Sequence, residues 1–354
     1  MKWLNELTRL FQTDYPIVQA PMLGVTTPAM VAAAADSGCL GSLAVGGLSP
    51  QRTAELIRST RTLTARPFAV NLFVYEIPPA TEATEAAKMR TWLRHLAAEH
   101  GLAYDDKPVS AFTHYSYREQ LPVLAAEGIT QVSFTFGMMD DEALDFCRKQ
   151  GMVLTGTATS VAEAQALEAK GVAVIVAQGI EAGGHRGAFL EPERLPEVGS
   201  FALIPQIADA VRCPVIAAGG IKDGRTLRAA MMLGAAGFQI GSALVASDES
   251  LAVPAYKQTL QAAKDTDSCL TRAFSGRWAR GLRNTFMEQL DQAGLTVPAY
   301  PYQNSLTTAF RAAAQQKDDA RWFNLWAGQS AGGAELLPVS VILQRIIKEA
   351  EALA

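Results

Sequence analysis

The chain predicts an α/β protein: a (β/α)8 TIM barrel with a mainly helical cap subdomain inserted after the eighth strand. Three observations carry that expectation. Short continuous apolar runs recur, as in strands covered on both faces of a parallel sheet. A segment of helical period follows most of them, which is the alternation of βα units. The count of such runs reaches eight by Ile240.

In order, strands are expected at 16–22, 40–45, 68–74, 131–136, 152–156, 172–178, 214–218 and 237–240. Helices are expected at 28–37, 50–59, 140–149, 160–170, 201–211 and 223–233. Two segments break the rhythm. Residues 78–117 are polar, contain a helix at 82–99 and delay the fourth strand. Residues 254–333, rich in Trp, Tyr, Arg and Asn, separate the eighth strand from a last helix at 338–352 and are expected to cap the barrel mouth. The domain reading is therefore a barrel over 1–253 with its insertion at about 78–117, a cap over 254–333, and a helix in 334–354 returning to the barrel. An open doubly wound sheet is the alternative. No Gly-x-Gly-x-x-Gly follows any strand, which weighs against it.

Composition narrows the function. The 354 residues are 49% hydrophobic with a formal net charge of −4, which gives a large core and no electrostatic footprint for nucleic acid. One barrel uses about 250 residues and insertions take the rest. Lys2, Glu6 and Arg9 interrupt what would be a secretory apolar region, and Asp36 and several glycines interrupt the apolar stretch at 28–47, so neither a signal nor a membrane span is expected. Cys39, Cys147, Cys213 and Cys269 show no Cys-x-x-Cys spacing, which argues against zinc and a disulfide framework and fits a reducing cytoplasm. His95 and His100 are five apart and fall on different helix faces, so no metal is expected.

Barrel enzymes build their sites from strand ends and the loops after them. The first strand ends in Gln19-Ala20-Pro21-Met22, and the third carries the amide of Asn71 in an apolar run. The sixth runs from Gln178 into Gly179-Ile180-Glu181-Ala182-Gly183-Gly184-His185-Arg186-Gly187. The seventh ends in Gly219-Gly220, and the eighth contains Gln239-Ile240-Gly241-Ser242. Glycines there let several backbone N–H groups approach one phosphate, with Asp223 placed to cap the next helix. A single phosphate site without the dinucleotide fingerprint favours FMN over NAD or FAD. Asn71 and Gln178 are suited to the pyrimidine edge of its ring, although either amide alone would serve equally as a strand-end cap. His185, in a loop of four glycines, is the candidate catalytic residue, as base, as donor to an anion, or as both; the plain alternative is a structural loop histidine. His114, beside Tyr115 and Tyr117, is the other histidine expected near a ligand.

At these residues the chain resembles the nitronate monooxygenases. The matching stretches are PIVQAPM at 16–22, FAVNLFV at 68–74, VSFTFG at 132–137, AQGIEAGGHRG at 177–187, PVIAAGGI at 214–221 and FQIGSALVASDES at 238–250. AFSGRWARGLRN at 273–284, AYPYQN at 299–304 and LWAGQSAG at 325–332 continue the match through the second insertion and favour the bacterial class I group. The resemblance implies noncovalent FMN held at Met22, Asn71, Gln178, Gly183, Gly219, Gly220, Gln239, Ile240, Gly241 and Ser242. It also implies catalysis at His185 and a pocket lined by Tyr300 and Tyr302. The implied reaction oxidises a small anionic nitronate with O2, without nicotinamide, to a carbonyl compound and nitrite or nitrate. A homodimer stays open as the assembly. The segment FTHYSYREQ at 112–120 has no counterpart in that pattern. The Gly-Gly-His loop is shared by FMN-dependent enoyl-acyl-carrier-protein reductases, so a nicotinamide-dependent reductase of an enoyl thioester or a quinone is the alternative enzyme. A non-catalytic FMN-binding protein is the alternative outside enzymes.

Overall fold

The computed structural model describes residues 3–79, 84–191 and 194–353. Its main sheet consists of β1 (Ile17–Gln19), β2 (Gly41–Ala44), β3 (Phe68–Phe73), β4 (Gln131–Thr135), β5 (Val153–Ala158), β6 (Val174–Gln178), β8 (Val215–Ala218) and β9 (Gly237–Ile240). All pair in parallel, in the order β1-β9-β8-β6-β5-β4-β3-β2. A parallel bridge between Val18 and Leu40 joins the first and last strands of that order, so the sheet closes on itself. Gln19 N–H donates to Leu40 O at 2.9 Å and Leu40 N–H donates to Ile17 O at 2.8 Å across the seam. The remaining short strand, β7 (Gly184–His185), lies outside the barrel in a second sheet.

The barrel helices are α2 (Pro28–Asp36), α3 (Pro50–Leu63), α5 (Tyr117–Ala126), α6 (Asp141–Lys149), α7 (Val161–Ala169), α8 (Ser200–Ala210), α9 (Gly224–Met232) and α13 (Val339–Ala352). Local chemistry starts most of them. Thr27, Ser49, Asp140, Ser160 and Asp223 are N-caps whose side chains accept from the third backbone N–H, and Pro28 and Pro50 hold φ at the first helical position. α5 is not among the helices expected from the sequence. The signal for it is a capping box, Ser116 with Glu119, placed where the chain still reads as polar insertion and where Pro122 interrupts a helical reading. Also absent from the expected helices is α1 (Glu6–Phe11), whose Leu7 and Phe11 pack with Val18, Leu40, Ala69, Val174, Val176, Ile216 and Ala218. These strand residues alternate with those of the helix-facing core, so α1 closes the N-terminal end of the barrel.

The two segments that break the rhythm pack on each other. The first carries α4 (Thr84–Glu99); the expected start of this helix at 82 lies outside the described residues. The second carries α10 (Pro254–Ala262), β10 (Ser268–Thr271), β11 (Ala279–Leu282), α11 (Thr285–Ala293) and α12 (Tyr302–Gln316). Trp92 of α4 meets Phe286 edge-on at 5.6 Å, and Phe286 stacks on Phe274 at 4.7 Å and meets Phe310 at 5.5 Å. Phe274, Phe286, Phe310 and Trp322 are all within 1% of full burial. Each contributes about 1.5–3 kcal/mol by leaving water, and each ring pair adds about 0.5–1.5 kcal/mol. That aromatic core fixes α12 relative to the barrel and so fixes the residues α12 carries to the site. No helix among the described residues is long and apolar enough to cross a membrane.

Candidate active site

At the C-terminal ends of the strands lies an inner cavity, and its two ends are built differently. At one end β8 and β9 run into Gly219-Gly220 and Gly241-Ser242. Gly219 and Gly220 have φ of +112° and +74°, where a side chain would be strained. The turn leaves the amides of Gly220, Ile221, Gly241 and Ser242 without an acceptor among the described residues. Unpartnered N–H groups converging on a cavity are an anion cradle. Asp223 caps α9 by accepting from Thr226 N–H at 2.8 Å, so its carboxylate is engaged in the cap.

The middle of the cavity is lined by Met22, Asn71, Gln178, Gly183 and Gln239. The Asn71 amide donates to Ser133 Oγ at 2.9 Å. Gln178 works on the histidine loop: Nε2 donates to His185 O at 3.0 Å, and Oε1 accepts from Gly187 N–H at 2.9 Å. Gly183 is required for contact, since a Cβ there would sit 2.5 Å from Gly328 N. Ile240 points away from the cavity into the helix-facing core, as its alternation with Gln239 dictates, leaving only its backbone at the site.

At the other end stands His185. Its loop forms β7, which pairs antiparallel with β11, Ala279 opposite His185 and Arg280 opposite Gly184. Arg186 is buried beneath it and donates to the carbonyls of Gly179 and Gln178, clamping the loop. The imidazole Nε2 lies 2.8 Å from Ser275 Oγ, with the Phe136 and Trp326 rings at 5.5 and 5.2 Å. Enclosure by protein, with the Arg277 and Arg311 guanidiniums nearby, pushes the imidazole down to about 3. His185 is therefore neutral: one nitrogen donates and the other accepts, and Nε2 is engaged with Ser275. The Tyr300 ring, also on the cavity, meets Tyr75 edge-on at 4.8 Å, and burial raises its hydroxyl well above the ordinary phenol value.

The expected pocket residues separate here. Tyr300 lines the cavity, whereas Tyr302 does not: its hydroxyl donates to Pro78 O at 2.6 Å, and its ring meets His114 edge-on. His114 is likewise off the cavity, with Nε2 2.9 Å from Ser305 Oγ. The segment at 112–120 thus leads into α5 and braces α12. No cluster of His, Cys, Asp and Glu that could hold a metal occurs among the described residues.

The nitronate monooxygenase family model matches residues 5–349. The chain belongs to the nitronate monooxygenase family. A curated protein of Staphylococcus saprophyticus named "Probable nitronate monooxygenase" is 38% identical over 357 residues, covering 99% of this chain and 98% of that protein. A solved structure described as nitroalkane oxidase from Streptomyces ansochromogenes superposes with a TM-score of 0.86 at 36% identity, covering 99% of this chain and all of the other. FabK from Thermotoga maritima superposes at 0.76 with 27% identity, covering 99% and 97%. Several residues of the site were not singled out from the sequence: Ser275, Asn304, Arg311, Asn324 and Trp326. They come from three stretches of the second insertion: the turn before β11, α12, and the segment after α12. Ser275, Asn304 and Trp326 sit in stretches that match the family, which was the available signal; Arg311 lies on a helix face with none.

Proposed function

We propose that this enzyme binds FMN in the cavity and oxidises alkyl nitronates, of which propionate 3-nitronate is an example, with O2 to a carbonyl compound and nitrite or nitrate. The observation that carries the reading is the set of four unpartnered amides at Gly220, Ile221, Gly241 and Ser242, at one end of a cavity whose other end holds His185. The cradle suits one phosphate, and the amides of Asn71, Gln178 and Gln239 along the cavity suit the polar edge of a flavin ring. When bound, FMN would supply the electron transfer that no side chain here provides.

The protein's part is orientation and electrostatics. No carboxylate lines the cavity among the described residues, so nothing there repels an anionic substrate. A nitronate is already a carbanion equivalent and needs no base. Neutral His185 serves it as a hydrogen-bonding group, aligned by Ser275 and by the β7–β11 pairing. For a neutral nitroalkane, the kind of substrate in the neighbour's description, the same imidazole would be the group to take the proton from carbon. The segment at 254–333 acts as the cap in this reading, with 1–253 as the cofactor-binding barrel and 334–354 as its returning helix. A homodimer remains compatible with it.

The test is a choice of electron donor under anaerobic conditions. The purified protein is expected to be yellow and to release FMN on boiling. Mixed with propionate 3-nitronate its flavin spectrum should change within minutes, and with NADH or NADPH it should stay oxidised. Rapid bleaching by a nicotinamide without a nitronate response would place the protein with the reductases of this fold, and release of FAD would remove the one-phosphate argument.

A further inference from the structure

Arg311 is the one charged side chain lining the cavity among the described residues, His185 being neutral. Its hydrogen-bond partners are all uncharged. Nε donates to Thr307 Oγ1 at 3.1 Å, Nη1 to Asn324 Oδ1 at 2.8 Å, and Nη2 to Asn304 O, Asn304 Oδ1 and Thr308 Oγ1 at 3.1, 2.9 and 3.2 Å. Carboxylates are not scarce in a chain with 35 of them, and exposed arginines use them: Arg58 pairs with Glu127, Arg118 with Asp140, and Arg321, ten residues on, with Asp319. Arg311 is enclosed by protein, and burial lowers its affinity for its proton to about 10. An enclosed guanidinium without a counter-charge is costly to hold. Here five neutral contacts fix its plane and leave its charge uncancelled, which is the arrangement that a visiting anion completes.

Arg277 looks similar and acts differently. Its guanidinium lies 4.3 Å over the Phe136 ring and donates to Phe136 O and Ala188 O at 2.9 and 2.8 Å. Phe136 has φ +82°, unusual for a non-glycine residue, so Arg277 locks a strained turn at the end of β4. It faces a separate outer cavity with Tyr75, Glu76 and Phe189, and does not line the inner one.

We propose that Arg311 is the anion-recognition residue of this enzyme: its guanidinium, through the one Nη1 N–H left free, holds a negatively charged oxygen of the nitronate beside His185 and makes the site select the anion over the neutral nitroalkane. The inference rests on the nitronate reading for its substrate, and on the charge of the wall for its chemistry. Asn304, Thr307 and Asn324 are positioning residues that orient the fork.

Nitrate, a planar oxyanion that is not turned over, is the probe. Its binding to the FMN-loaded protein is measured by calorimetry, alongside neutral nitroethane at a pH where it is un-ionised. Arg311→Met and Asn324→Asp should each weaken nitrate by roughly 10- to 100-fold, the size of one charge-assisted hydrogen bond. The Asp variant keeps the arginine and its Nη1 contact, and cancels the charge in place. Arg311→Lys should recover most of the affinity, and nitroethane should change by less than about threefold, since it carries no charge to lose. KM for a nitronate should rise more than kcat falls. Unchanged nitrate binding in Asn324→Asp overturns the proposal, as does equal loss of nitrate and nitroethane, which would mark a structural brace. Loss of FMN from Arg311→Met with normal nitrate binding in Asn324→Asp would assign the residue to the cofactor and overturn it too. Nitrate binding needs no turnover, so a protein that binds nitrate through Arg311 but does not oxidise nitronates would fail only the functional reading.

Discussion

The two ends of the cavity are made of different material. The glycine end is backbone: Gly220, Ile221, Gly241 and Ser242 follow closely on two adjacent strands, and what they present is N–H groups with no acceptor among the described residues. The histidine end is side chain: His185 comes from the loop after β6, Ser275 from before β11, Tyr300 and Arg311 from around α12, and Asn324 and Trp326 from the stretch after it. A backbone cradle needs only a strand end and a glycine to relax the turn. A side-chain site needs several segments to arrive together, and here the aromatic core around Phe274, Phe286 and Phe310 brings them. The first end should therefore control whether cofactor is held, and the second whether it is used.

The largest expected effect separates these roles. His185→Asn should lower turnover of a nitronate by roughly 10²–10⁴-fold, the range for one positioned polar or acid–base group, while FMN stays bound. Normal turnover would make the Gly-Gly-His loop structural, and lost flavin would join the two ends into one. The converse change is Gly220→Ala. At φ +74° an added Cβ strains the turn by about 1–2 kcal/mol, which should weaken FMN by around tenfold. In the fraction that retains FMN, nitronate turnover should be nearly normal. If equilibrium dialysis shows FMN affinity unaltered, the cradle does not carry the phosphate.

The smallest expected effect is the absence of one. His185 has its pKa depressed from 6.5 to about 3 by burial and by two guanidiniums. Between those values the proton goes to the unfolded chain, so this residue withdraws stability as pH falls through that window and has no effect above it. Activity follows the same sign. With preformed nitronate, kcat/KM should show no limb near pH 6.5, where a free imidazole titrates. A limb there that disappears in His185→Asn would show that the imidazole ionises freely and that the guanidiniums are further from it than the structure has them.

What could be read in advance follows the same division. The eight strands, six of their helices and the Asp223 cap all depend on neighbours within a few residues. Tyr300 and Tyr302 show the limit. They are two apart in a matched stretch, yet one faces the cavity and the other reaches Pro78, because the start of α12 turns the chain between them. Gln178 shows another: its amide was legible at a strand end, but its engagement with His185 and Gly187 depends on how the loop returns over β6.

The sequence by itself determined the barrel, the glycine turns and the histidine loop, because hydrophobic period, capping and positive φ are local demands that a few residues state completely. Tertiary structure alone decided which side chains meet His185 and with what charge. Ser275, Arg311 and Asn324 have no shared period, and the neutrality of the imidazole comes from enclosure and from guanidiniums in the 277 and 311 positions, a long-range electrostatic fact that only the closing of 254–333 onto the loop after β6 creates.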